Sequence, residues 1–178
     1  MTDLAYMRTW SGNKFYFRNP EPTSILIEDI AHSLSLQCRF NGHCDKHYSV
    51  PEHSVKVANK ALDESPEDYR LALTALLHDA AETYTGDIVS PLKAILPDFK
   101  NVERRVEICI SQRFGLTYPL PDEVKRFDKE VLSDEFVTIA PFSCDSGGEP
   151  LSPKEAERVF LDMFYKLQKS LLDDDKSK

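Results

Sequence analysis

The chain has 178 residues, of which 41% are apolar and 29% charged, with six glycines and eleven prolines. That length accommodates one domain with a sizeable core, and the composition excludes disordered, collagen-like and disulfide-scaffold classes. Twenty-two basic against thirty acidic side chains leave a net charge of −8, a field that repels a phosphodiester backbone and argues against polymeric nucleic acid as a partner.

No stretch approaches the roughly 18 consecutive apolar residues of a membrane span, and the start MTDLAYMRTW lacks the basic-then-apolar order of a signal peptide. A cytoplasmic protein without a membrane partner is expected. Cys38, Cys44, Cys109 and Cys144 form no CxxC pair, so they are read as reduced thiols rather than a zinc or disulfide framework.

In chain order, residues 9 to 17 (TWSGNKFYF) set a Gly-Asn turn between aromatic runs, the pattern of a short hairpin. After the link through Pro20 and Pro22, the segment from Ile25 to Leu36 carries Ile27, Ile30, Ala31 and Leu34 at the spacing of one helical face. Gln37 to Tyr48 reads as a polar loop that gathers Arg39, His43, Lys46 and His47, a local cation cluster in an acidic protein. Ser49, Pro51 and Glu52 supply an N-cap, an early proline and a capping-box glutamate for a helix reaching about Asp63. Ser65-Pro66 opens the most apolar helix, which includes LALTALLHDAAE and is expected to run unbroken to Tyr84, before Gly86. A short helix from Ser90-Pro91, a longer one from Asp98 to Phe114 stopped by Gly115, and another from Pro121-Asp122 to about Ile139 follow. Residues 141 to 151 read as an exposed loop. Ser152 to Glu155 then caps a last amphipathic helix, over 152 to 172, that frays into an acidic tail at 173 to 178. Its apolar side, with Phe160, Met163, Phe164 and Leu167, suits the core or a second subunit of a homo-oligomer, with core packing the default.

His78-Asp79 lies among apolar neighbours, so the dyad is expected to be buried and to need compensation, by mutual hydrogen bonding or by a divalent cation. His53 stands three residues after Val50 and four before Val57, on the core side of its helix. Asp128, with Val124, Val131 and Leu132 around it, likewise points toward apolar surface. His53, His78, Asp79 and Asp128 thus offer two imidazoles and two carboxylates from three helices, a donor set that bundles use to build metal sites.

This H…HD…D pattern resembles the HD-domain metal-dependent phosphohydrolases. The stretches CRFNGHCDKHYSVPEHSVKVA and ALLHDAAETYTGDIVSPLK are similar to the bacterial 5′-deoxynucleotidases of that superfamily and to phage dNTP and dATP triphosphohydrolases, over residues 25 to 135. The resemblance implies an all-α HD-domain bundle of about six or seven helices with a small N-terminal β-hairpin, the core spanning 25 to 140 after a hairpin and link over 1 to 24. It implies His53, His78, Asp79 and Asp128 as ligands of one divalent transition metal (Co, Mn, Zn or Fe). Glu82 and Asp87 become catalytic or substrate-orienting carboxylates, and Arg39 with the following aromatic lines a deoxynucleotide pocket. The nucleotidase pattern has Trp after that Arg, whereas this chain has Phe40, which leaves base and sugar preference open.

Imidazole and carboxylate donors suit Mn, Fe, Co or Zn, and four protein ligands leave room for water and a phosphoryl oxygen. Glu82, four residues after His78, is placed to move a proton or orient water. Asp87 serves either as a cap or as a partner for sugar hydroxyls. Arg39 and Lys93 oppose phosphate charge, and Phe40 stacks on a base or fills core. The expected activity is dNMP 5′-phosphatase or dNTP/dATP triphosphohydrolase. Cleavage of a cyclic dinucleotide or guanosine polyphosphate, and an idle nucleotide-binding or interaction module, are the alternatives.

Overall fold

The computed structural model describes residues 5–138 and 149–176. Strands β1 (Tyr6–Arg8) and β2 (Lys14–Tyr16) pair antiparallel, Tyr6 opposite Tyr16 and Met7 opposite Phe15. The hairpin therefore begins upstream of the expected stretch at residue 9, and Thr9 and Trp10 form the turn instead of the first strand. The cause is tertiary: Ser11 donates its N–H and its hydroxyl to Asp29 at 2.7 and 2.8 Å, and Trp10 stacks on His32 at 4.5 Å between centroids. Both partners lie on helix α1 (Ile27–Ser35), whose Ile27, Ile30, Ala31 and Leu34 are buried as the periodicity requires.

Between α1 and α2 (Val50–Glu64) the chain makes a single 3-10 turn, Arg39–Gly42, in which Phe40 and Asn41 take left-handed backbone angles, φ 57° and 53°. The Arg39 N–H bonds to the Tyr48 carbonyl at 2.8 Å, which pins this turn against the start of α2. Cys38 and Cys44 are free thiols with Sγ atoms 3.4 Å apart, and Cys109 is free as well; Cys144 lies outside the described residues. The capping box expected at α2 is not made: the Ser49 hydroxyl is buried without a partner, and Glu52 accepts the N–H of Leu151 at 3.0 Å instead. The equivalent box at the last helix is made, with Ser152 donating to Glu155 at 2.6 Å and the Glu155 N–H returning to the Ser152 hydroxyl at 3.4 Å.

The helix expected from Ser65-Pro66 to Tyr84 is two helices. Asp68, not Ser65, caps α3 (Tyr69–Leu76) by accepting the Leu71 N–H at 2.9 Å. Beyond Leu76 the main-chain ladder tightens, Ala80 bonding Leu77 and Glu82 bonding Asp79 three residues back at 3.1 and 3.0 Å, until α4 (Glu82–Thr85) ends at Gly86, φ 82°. The short α5 (Ser90–Ala94), α6 (Pro97–Phe114), closed by left-handed Gly115, and α7 (Asp122–Thr138) follow the expected order. Ile139 and most of the expected loop at 141 to 151 lie outside the described residues. Helix α8 (Pro153–Lys176) is longer than expected, because the acidic tail remains helical through Lys176.

The result is a mostly helical protein with eight α helices among the described residues and one small hairpin. None of these helices is long and apolar enough to cross a membrane. Helices α2, α3 and α7 pack on one another and α8 lies across α1, α2 and α3, with Phe160, Phe164 and Leu167 in the common core. Phe160 is wholly buried, so Phe160→Ala is expected to cost about 3–5 kcal/mol, read as a lowered urea midpoint. A loss below about 1 kcal/mol would remove α8 from the core.

Candidate metal centre

His53 stands in the first turn of α2, His78 and Asp79 occupy the tightened turn between α3 and α4, and Asp128 lies in the middle of α7. Ligand atoms of His53, His78 and Asp128 fall within 4.8 Å of one another. Asp128 Oδ1 is 3.1 Å from His53 Nε2 and 3.8 Å from His78 Nε2; Asp79 Oδ2 is 3.1 Å from His78 Nε2 and 3.9 Å from His53 Nε2. All four predicted ligands are thus brought together.

The hydrogen bonds around the rings fix their tautomers. His78 Nδ1 lies 2.7 Å from the Ala75 carbonyl, which can only accept, so Nδ1 carries the hydrogen. His53 Nδ1 donates in the same way to the Glu135 carboxylate at 2.8 Å. Both Nε2 atoms therefore face the cluster, buried and with no aligned hydrogen-bond partner, although carboxylate oxygens stand beside them. Donor atoms each about 2.1 Å from one ion lie about 3.0–3.4 Å apart when adjacent, which matches the two 3.1 Å contacts. Neutral imidazole with carboxylate fits a transition metal, and the residues present fit such an ion.

The electrostatics agree. Burial opposes charge on His78, yet Asp79 and Asp128 raise its pKa well above the ordinary value. Burial would lift Asp79 and Asp128, but the imidazoles hold both well below the carboxylate range. Positive charge at the point where these groups meet is what this environment favours.

A cleft of about 310 Å³ opens beside the cluster, and Arg39, Phe40, Glu82, Asp87 and Lys93 line it together with Asp79 and Asp128. Arg39 is buried, with one nitrogen 3.7 Å from Asp79 Oδ2 and another 3.2 Å from Glu135 Oε2, and its guanidinium lies 5.5 Å from the Phe40 ring centre. Phe40 in turn tilts against Phe136 at 5.3 Å. Lys93 bridges Glu82 at 3.1 Å and Glu103 at 2.7 Å. Burial, reinforced by Asp79 and Asp87, raises Glu82 well above the usual carboxylate value against the pull of Lys93. Its Oε2 is buried and unpartnered. Burial also raises Asp87, with Arg39 opposing, and its N–H is held by Gln37 Oε1 at 3.0 Å. A second cavity, also about 310 Å³ and mostly apolar, shares only His78 with the cluster.

The sequence reading missed Glu135, Tyr48, Gln37 and Glu103. Glu135 was detectable: it follows Asp128 by seven residues and Val131 by four, the spacing of one helical face.

Mostly helical, the chain thus brings a His-His-Asp group that could hold a metal ion to one end of a cleft lined by charged side chains. Residues 41–139 match the family described as 5′-deoxynucleotidase YfbR-like, and the chain belongs to that family. It is 38% identical over 132 residues to the uncharacterized protein YfdR of Escherichia coli (strain K12), covering 74% of this chain and 71% of that protein. An uncharacterized protein of Rhodobacter capsulatus is 40% identical over 128 residues, 68% of this chain and 64% of its own. A 5′-deoxynucleotidase of Vibrio atlanticus is 31% identical over 87 residues, covering 43% and 44% of the two chains.

Because Glu82 is raised in the fold, its contribution is complete below the unfolded value of 4.5 and is lost as pH rises through the folded value. Metal-free Glu82→Gln protein should therefore gain stability relative to wild type as pH rises from 5 to 8, the gap in unfolding free energy (variant minus wild type) increasing with pH. Urea titrations with chelator at each pH measure this. A constant or narrowing gap contradicts the assigned environment.

Proposed function

We propose that this protein is a metal-dependent 5′-deoxynucleotidase of the HD type, releasing inorganic phosphate from a deoxynucleoside monophosphate. The observation that carries the reading is the pair of buried imidazoles whose Nδ1–H bonds leave both Nε2 atoms turned to the carboxylates of Asp79 and Asp128 without an aligned hydrogen bond. His53, His78, Asp79 and Asp128 would hold the metal. When bound, such an ion acidifies a water and polarises the phosphoryl group.

The chain's own residues supply the rest. Arg39, buried at the cleft wall with its Nε unpartnered, opposes the phosphoryl charge and orients the group for in-line displacement. Glu82, whose pKa burial raises well above the usual carboxylate value, would donate a proton to the departing 5′ oxygen as the bond to phosphorus breaks. Lys93 holds Glu82 in place through its bridge to Glu103. Asp87, fixed on the Gly86 turn, faces the sugar hydroxyl, and Phe40 covers the base.

Monophosphate ranks ahead of triphosphate for two reasons. Deoxynucleotidases recur among the relatives. Arg39 and Lys93, the cations among the described lining residues, are both already paired with carboxylates, which leaves no free cation for a β,γ-phosphate tail.

The test is phosphate release from dNMPs by chelator-stripped protein, with and without added Co or Mn. Activity should return with metal, Asp79→Ala should lower kcat/KM at least about 100-fold, and Arg39→Ala should lower it about 100-fold mainly through KM. Chelator-insensitive activity retained in Asp79→Ala overturns the metal assignment. Faster triphosphate release from dNTPs moves the substrate to the runner-up.

A further inference from the structure

We propose that Glu135 is a positioning residue that sets the metal ligand His53 and the phosphate-facing Arg39 together, an inference that rests on the function proposed above. The Glu135 carboxylate is 2% exposed and receives three donors. Oε1 accepts from His53 Nδ1 at 2.8 Å and from the Tyr48 hydroxyl at 2.5 Å, while Oε2 accepts from Arg39 at 3.2 Å.

Each bond has a separate consequence. Toward His53, which is wholly buried, the carboxylate accepts from Nδ1, which keeps the hydrogen there and Nε2 turned to the cluster. A carboxylate behind a ligating imidazole also raises its basicity. Toward Arg39, the second oxygen anchors one end of the guanidinium, leaving a nitrogen 3.7 Å from Asp79 and Nε unpartnered for an incoming phosphoryl oxygen. Tyr48 adds a third donor from the residue whose carbonyl holds the Arg39 N–H at 2.8 Å, so the turn and the carboxylate brace each other.

Placement on α7 makes this coupling rigid. Asp128 and Glu135 stand two helical turns apart on one element, and they address Nε2 and Nδ1 of the same imidazole at 3.1 and 2.8 Å. One helix therefore presents a ligand to the metal and orients the opposing ligand from behind. A single carboxylate then serves both ion affinity and phosphate binding, which an isolated structural salt bridge would not do.

The decisive variant is Glu135→Gln, which keeps size and removes charge. Co(II) titrated into apoprotein against a competing chelator should bind about 10–100-fold more weakly than in wild type, with an altered visible Co(II) spectrum. At saturating Co(II), kcat for a dNMP should recover to within a few-fold while KM stays raised. Glu135→Asp, which retains charge, should restore Co(II) affinity in part. In wild-type apoprotein, nitrogen–proton NMR of the histidines should show His53 protonated at Nδ1, a measurement that needs no variant to fold. Equal Co(II) affinity and KM in wild type and Glu135→Gln, or an Nε2–H tautomer at His53, overturns the role of Glu135 alone. Failure of wild type to bind Co(II) at all overturns the functional reading beneath it.

Discussion

Two imidazoles enclosed by a helical core are tolerable only if each ring nitrogen is accounted for. The structure accounts for them asymmetrically: every Nδ1 is tied to a fixed acceptor, the Ala75 carbonyl or the Glu135 carboxylate, and every Nε2 is left facing two ionised carboxylates. An uncompensated buried polar group costs on the order of a few kcal/mol. Evolution ordinarily removes such a group or pairs it, and the two buried Nε2 atoms that lack aligned partners beside the carboxylates of Asp79 and Asp128 form a site that suits a cation. The geometry of the bundle follows from that demand, since α2, α7 and the α3–α4 turn must all reach one point.

That demand also explains the break in the most apolar helix. An unbroken helix through His78, Asp79 and Glu82 would stack the three side chains at fixed rises along one stripe. The observed turn shortens the ladder to bonds three residues back, and the His78 ring takes the Ala75 carbonyl at 2.7 Å. Local helix propensity favours continuity here, and tertiary bonding overrides it. The left-handed Phe40 and Asn41 are a second place where the backbone departs from its local preference beside the cleft. Non-glycine residues in that region cost about 1–3 kcal/mol, a strain sustained here by the bond from the Arg39 N–H to Tyr48.

How much of this could be read from the sequence divides along the range of the interactions. The apolar spacing of α1, the glycine stop after α6 and the Ser152–Glu155 box are set within a turn or two, and they were legible. So was the burial of His53, which periodicity turned toward apolar surface, whereas Asp128 is only half-buried. The Ser49–Glu52 box was not, because Glu52 is drawn to Leu151, nearly a hundred residues away. The hairpin register was displaced by Asp29 in the same manner, and the α3–α4 break by a histidine side chain bonding its own backbone. Glu135 went unnoticed, since pattern shows which face a residue shares but not which donors will meet it there.

Carboxylates outnumber cations along the cleft. Asp79, Glu82, Asp87 and Asp128 line the cleft against Arg39 and Lys93, and both cations are already paired. Even with Glu82 protonated, the protein alone presents a net negative wall to an anionic ligand. Such a wall repels a free phosphomonoester at close range, where low dielectric makes like charges costly. On the function proposed above, a divalent cation held by His53, His78, Asp79 and Asp128 would offset this charge for an incoming phosphate. The overall charge of −8, which argued against a polymeric nucleic-acid partner, thus has a local counterpart in the carboxylates that line the cleft.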